Sequence, residues 1–146
     1  IAHYAGIMIL PQPFVKQKGA YTVMIRKPII FIKRDLHPAM RSIVLAHELG
    51  HHFLHRQEAM QSGGFHEFNL FDMQNNQMEY EANVFAAQLK LPDEDVLECV
   101  YNGYDIAATA RALHSDINLV ALKIAELNRR GYQLREQEYR NKFLRS

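Results

Sequence analysis

The chain of 146 residues has no tryptophan, one cysteine and no long apolar run. A lone Cys99 excludes an internal disulfide framework, fits a reducing compartment and predicts a cytoplasmic protein. It follows Val96 and Leu97 in a predicted helix and reads as a buried structural thiol rather than a nucleophile. Nowhere do 18 apolar residues run together without a charge, so no membrane-spanning helix is expected. No signal-peptide pattern opens the sequence, and Ile1 in place of Met points to missing leading residues. Disorder is excluded as well, because 48% of residues are hydrophobic and 23% charged, the balance of a folded domain. Internal repeats and low-complexity linkers are absent. The length fits a single domain spanning 1–146.

Acidic residues are missing from the first 34 positions, which carry six basic ones. Residues 35–110 reverse this with twelve acids against three bases, and residues 111–146 return to eight bases against four acids. The acidic middle holds a histidine cluster, as a cation site requires, although surface acids alone give the same count. The basic ends permit contact with nucleic acid or an acidic partner, and a solvated surface explains them equally well.

What is present begins with IAHYAG, read as the end of a helix closed by Gly6. The short apolar run IMIL follows. GAYTVMIR and PIIFIKR, rich in β-branched and aromatic residues, predict two strands joined around Lys27-Pro28 and paired antiparallel. Pro38 opens a helix running to about His55, with Ile43, Val44, Ala46, Leu49 and Phe53 on its buried side. A looser segment over 56–77 carries Gly63-Gly64 and four large apolar residues. Ala82, Phe85, Ala86 and Leu89 then mark a helix over about 77–90, ended by Pro92. Acidic DED starts the next helix, and two more occupy DIAATARALHSD and INLVALKIAELNRRG, the last closed by Gly131. The fold class is therefore α+β, with a small antiparallel β-sheet packed on the histidine-bearing helix and a mostly helical C-terminal half. Residues 1–92 carry the sheet and the two helices described next, and 93–146 the helical remainder.

Chemistry concentrates in SIVLAHELGHHFLHR, residues 42–56. His47-Glu48-Leu49-Gly50-His51 is an H-E-x-x-H sequence. Residues four apart on an α-helix lie about 40° apart around its axis, so both imidazoles leave from one face and can share a tetrahedral Zn²⁺. Glu48, about 100° from His47, flanks the ion without binding it and can take a proton from a water that the ion polarises. A catalytic zinc of this kind needs a third protein ligand and an open position. The candidates are Glu79 and Glu81, about 200° apart on the following helix, so only one faces the metal. Glu79 has Ala82, Asn83 and Ala86 on its face, and two alanines allow a close approach of helices. Glu79 is the choice and Glu81 the alternative. Asn83 is positioned to accept a hydrogen bond from a ligand histidine.

HELGH followed by EYEANVFAAQLKLP resembles the ImmA/IrrE family of zinc metallopeptidases, which are similar to compact gluzincins. Glu79, Asn83, Phe85, Ala86 and Pro92 match the family's glutamate, Ala-Asn, Phe-Ala and proline-terminated pattern, and the likeness covers most of the chain. Lys90 departs from the usual all-apolar ending, which bears on packing more than on chemistry. The resemblance implies an intracellular, site-specific endopeptidase of phages, mobile elements or bacterial genomes. Its substrate is implied to be a helix-turn-helix transcriptional repressor, whose cleavage switches on the repressed genes.

The lesser residues are weighed against plainer roles. His52 and His55 read as surface or packing histidines, with a second ion at His55 the alternative. His66 is a candidate contact to a substrate carbonyl. Tyr80, Tyr101, Tyr104 and His114 are candidate donors to a developing oxyanion, and the sequence does not choose among them. Residues 105–130 suggest a helix-turn-helix, but a packed helical hairpin explains the same apolar stripe, so DNA binding is a minor alternative. The rival functions are a non-proteolytic metal-binding regulator and an adaptor that merely docks to a repressor.

Overall fold

The computed structural model describes residues 6–62 and 73–136. Strands β2 (Gly19–Met24) and β3 (Lys27–Lys33) form an antiparallel hairpin, as their β-branched and aromatic content predicts. In β3 the buried residues Pro28, Ile30 and Ile32 alternate with more exposed neighbours. The turn does not lie at Lys27-Pro28. Met24 pairs with Lys27, which leaves Ile25 and Arg26 as a two-residue loop. Their φ angles are 49° and 62°, the pair of positive values that a type I′ turn demands. Pro28 instead enters β3 one residue before the pairing with the other neighbour begins, where a missing N–H costs least.

That other neighbour is β1 (Met8–Gln12), made from the apolar run after Gly6. It pairs parallel to β3, so the sheet order is β1-β3-β2 and the expected antiparallel pair gains a parallel third strand. The helix end expected before Gly6 lies outside the described residues.

Helix α1 (Pro38–Ser62) starts with proline at its first position, and His37 Nδ1 accepts the Ala39 N–H at 3.2 Å. It does not end near His55. Backbone angles leave the helical region at that residue (φ −130°, ψ 23°), and the helix then resumes to Ser62. Ile43–His52 is buried except for half-buried Leu45, with the sheet and α2 (Met73–Lys90) packed against it. Phe53, expected inside, is 51% exposed and stacks on Phe85 with ring centroids 5.8 Å apart.

Two glycines set how closely the layers approach α1. A Cβ on Gly50 would stand 3.0 Å from Ala82 Cα and 3.1 Å from Phe85 Cβ, so α1 and α2 cross almost backbone to backbone. A Cβ on Gly19 would meet Val44 Cγ1 at 2.6 Å and Glu48 Oε1 at 3.1 Å, which ties the start of β2 to the same helix.

Pro92 ends α2 and caps α3 (Asp93–Tyr101), whose first turn holds Asp93, Glu94 and Asp95. Asp105 and Asp116 cap α4 (Ile106–Ala112) and α5 (Ile117–Arg129) by accepting backbone N–H groups. One hydrophobic cluster joins β3 to α1–α5, with Ile32, Val44, Ala86, Val96 and Leu122 among its fully buried members, and a second holds Tyr21, Ile30 and Leu49 between the sheet and α1. Helix α5 is the centre of the first: most of its residues from Leu119 to Leu127 are buried. Helix α5 is therefore core, which accounts for the apolar stripe of residues 105–130. Among the described residues no helix is long and apolar enough to cross a membrane.

Candidate metal centre

Burying histidine and glutamate requires partners, and the α1–α2 crossing supplies them. His47 and His51, one turn apart on α1, present rings with centroids 4.8 Å apart. Both are nearly inaccessible, at 3% and 1% exposure. Glu79, also 3% exposed, reaches across from α2. Its Oε2 lies 3.1 Å from His47 Nε2 and its Oε1 2.9 Å from His51 Nε2. The Gly50–Ala82 contact makes this reach possible, because a bulkier crossing would hold the carboxylate away.

Glu48 belongs to the same buried group. Ligand atoms of His47, Glu48 and His51 all lie within 4.8 Å of one another. The two carboxylates thus compete for the third place beside the imidazoles. Glu79 sets an oxygen against each Nε2, whereas Glu48 leaves the neighbouring face of α1 toward Gly19. Glu81 contacts neither imidazole of the pair in this way; it meets His55 Nε2 at 3.2 Å.

The donor set fits a cation. Asn83 Oδ1 sits 2.7 Å from His47 Nδ1 and can only accept, so that nitrogen donates its N–H. The Nε2 of neutral His47 then carries a lone pair that faces a carboxylate oxygen, an arrangement that repels unless a positive species lies between them. A proton satisfies it, and so does a divalent metal. Tetrahedral zinc with bonds of about 2.0–2.2 Å sets its ligand atoms roughly 3.3–3.6 Å apart, somewhat wider than the 3.1 and 2.9 Å between each Nε2 and the Glu79 oxygen facing it.

The ionisation pattern follows from this crowding. Burial disfavours the imidazolium of His47, but the Glu79 carboxylate, aided by Glu48, holds its pKa above the usual value. Burial dominates at His51 and lowers its pKa to about 4, with His47 and His55 acting the same way against the pull of Glu79. Burial would raise the pKa of Glu79, yet His47 and His51 hold it well below the usual carboxylate range. Carboxylate charge and imidazole nitrogen are therefore concentrated at one buried point.

The remaining sequence candidates fall elsewhere. His55 is 3% exposed and its Nδ1 lies 3.0 Å from His51 Nδ1, a contact that composition does not reveal. Its only sequence signal is the four-residue spacing after His51. His52 faces the sheet, where its Nδ1 is 2.9 Å from the Tyr21 hydroxyl. Tyr80 gives its hydroxyl to Glu126 and receives Arg129. Tyr101 and Tyr104 are exposed, and His114 lines a cavity of about 380 Å³ with His37 and Arg111, none of them in the histidine cluster. His66 and the aromatic segment at 65–71 lie outside the described residues.

Two comparisons bear on this geometry. The IrrE N-terminal-like domain, peptidase family M78, matches residues 2–125. The chain is also similar to an immunity region protein, described as uncharacterized, of Bacillus phage phi105, at 35% identity over 94 residues. That match covers 64% of this chain and 57% of the phage protein, so the chain spans little more than half of its relative's length.

Proposed function

This chain belongs to peptidase family M78, the IrrE N-terminal-like domains, and on that premise we propose that it is a zinc-dependent endopeptidase held together by His47, His51 and Glu79. The observation that carries the reading is the pair of buried Nε2 atoms facing one carboxylate, 3.1 and 2.9 Å away. His47, His51 and Glu79 would hold the ion, and two neutral imidazoles with one carboxylate would leave it a net positive charge. When bound, the metal polarises a scissile carbonyl and acidifies a water molecule.

The chain's own groups do the rest. Glu48, 5% exposed and on the adjoining face of α1, accepts the proton of the attacking water. It then delivers that proton to the amide nitrogen as the C–N bond breaks, giving a carboxylic acid and an amine. Asn83 orients His47 by accepting its Nδ1–H. Among the described residues strand β2 is an edge of the sheet, and its first residue, Gly19, adjoins Glu48. An extended substrate segment adding along that edge brings its carbonyl to the centre.

The phage relative's immunity-region description supports a substrate of the repressor class, and we assign cleavage of a helix-turn-helix repressor inside the cell. The test is incubation of metal-analysed protein with the repressor encoded beside it, followed by mass spectrometry. Two defined fragments with wild type and none with Glu48→Gln are expected. A non-proteolytic regulator or a docking adaptor leaves the repressor whole with both proteins, and that outcome would overturn the reading.

A further inference from the structure

We propose that His55, held by Glu81, is a positioning residue that fixes His51 in its Nδ1–H tautomer and so aims the Nε2 lone pair of His51 at the metal. The inference rests on the metal-centre reading above and assigns a job to two residues outside the ligand set.

The geometry is a chain of contacts. Glu81 Oε1 lies 3.2 Å from His55 Nε2, and His55 Nδ1 lies 3.0 Å from His51 Nδ1. An ionised carboxylate only accepts, so His55 Nε2 carries the N–H. In a neutral ring the other nitrogen, Nδ1, then has the lone pair. A hydrogen bond between the two Nδ1 atoms therefore needs its proton on His51. That leaves His51 Nε2 as a bare acceptor, 2.9 Å from Glu79 Oε1 and facing the same point as His47 Nε2. The reverse arrangement, with the proton on His55 Nδ1, turns an N–H of His51 inward and blocks the ligand position.

A buried histidine is usually satisfied by its own surroundings, and three features set this one apart. Its exposure is 3%, although nothing apolar in its chemistry favours burial. Helix α1 departs from helical angles at His55 itself, where an undistorted helix would be less costly. Its partner comes from α2, where Glu79, Glu81 and Asn83 are spaced two residues apart and serve, in turn, the centre, His51 through His55, and His47. One short stretch of α2 thus supplies a carboxylate and the orientation of both imidazoles.

The test uses the full chain and zinc ion alone, titrated against a competing chelator, with wild type, His55→Leu, His55→Gln and Glu81→Ala. His55→Leu removes the acceptor and should weaken zinc binding about 10- to 100-fold, the range found when such outer partners are lost. His55→Gln offers an amide oxygen to the same N–H and should stay within about threefold of wild type. ¹⁵N NMR of the zinc-loaded protein should find His51 protonated and hydrogen-bonded at Nδ1, a signature that mere packing would not move. If His55→Leu fails to fold, Glu81→Ala decides: half-exposed, it should lower zinc affinity several-fold while leaving the melting temperature without zinc unchanged. Wild-type affinity in a folded His55→Leu or in Glu81→Ala, or His51 ligating through Nδ1, would overturn the proposal and leave the metal centre standing. A wild-type chain that takes up no zinc would overturn both.

Discussion

Two regions of the molecule bury ionisable groups, and they do so on opposite terms. Around α5, donors meet acceptors: Lys123, fully buried, contacts Asp93 at 2.6 Å and Gln88, while Glu126 receives Tyr80 and, at 3.1 Å, Arg129. At the α1–α2 crossing, the nitrogens of His47 and His51 turn toward a carboxylate that can only accept. The first region is electrically complete and serves the fold. The second is where the proposed cation would sit. A change in buried charge should therefore register as stability near α5 and as metal binding or catalysis at the crossing.

The largest effect expected is catalytic. Glu48→Gln keeps the shape and removes the base, so repressor cleavage should fall by about 10²- to 10⁴-fold. Zinc stoichiometry and melting temperature should stay at wild-type values. Cleavage at the wild-type rate would remove Glu48 from the chemistry.

Lys123→Ala tests the other region. It leaves Asp93 to Arg130 alone, takes the donor from Gln88 and opens a cavity, at a cost of about 3 kcal/mol in denaturant unfolding, near the low end for buried pairs because Asp93 is a third exposed. Lys123→Met, which fills the space without charge, should recover most of that loss. Zinc affinity should move with neither.

The same cluster sets an acid limit. Hydrogen bonds from Arg130 and then Lys123 hold the Asp93 pKa well below its ordinary 3.8. A carboxylate whose folded pKa is depressed stabilises above its unfolded value, and that contribution disappears as pH falls through the folded one. Melting temperatures should thus decline below about pH 4, and more steeply in wild type than in Asp93→Asn. Equal slopes would mean that the pair does not couple to folding.

A smaller effect should bridge the regions. Gly50→Ala gains up to about 1 kcal/mol of helix propensity. Against this, its new Cβ meets Ala82 Cα at 3.0 Å, and backbone cannot swing aside. Overpacking of this kind costs about 1–3 kcal/mol, so a net loss is expected. Because Glu79 rides on α2, zinc affinity should fall too. Unchanged affinity would show that the helix spacing does not set the carboxylate's reach.

How far each region was readable follows from the range of its determinants. The H-E-x-x-H spacing and the Glu79–Asn83 face depend on local helical periodicity, so the approach of His47, His51 and Glu79 could be anticipated from order alone. The His51–His55–Glu81 chain joins two helices and turns on a break at His55, which no local pattern encodes. Phe53 obeys the apolar period yet emerges on the outer side of α1, while His55 and Ala59 beyond it are buried. Strand β1 was legible as apolar, but its parallel place beside β3 depends on long-range pairing.

The hairpin turn departs from its expected place for a chemical reason, and it offers the smallest test, far from either buried cluster in kind. Two-residue type I′ turns favour Asn-Gly, which tolerate positive φ, and this chain has Ile25-Arg26. Ile25 is 94% exposed, so no packing compensates a β-branched residue held at φ 49°. Left-handed backbone costs such residues roughly 1–2 kcal/mol. Replacing the pair by Ile25→Asn with Arg26→Gly relieves that strain, while glycine's extra unfolded-state freedom takes back about 0.5–1 kcal/mol. The Arg26 carbonyl that accepts Arg56 Nη2 at 3.3 Å is backbone and survives. A net stabilisation near 0.5–1 kcal/mol, a rise of about 2–4 °C in melting temperature, is expected with zinc affinity untouched. A lower melting temperature would mean that Ile25 contributes packing the turn geometry does not account for. Altered zinc binding would mean that stability and metal binding are not separable in this fold, and the contrast between the two buried regions would fail.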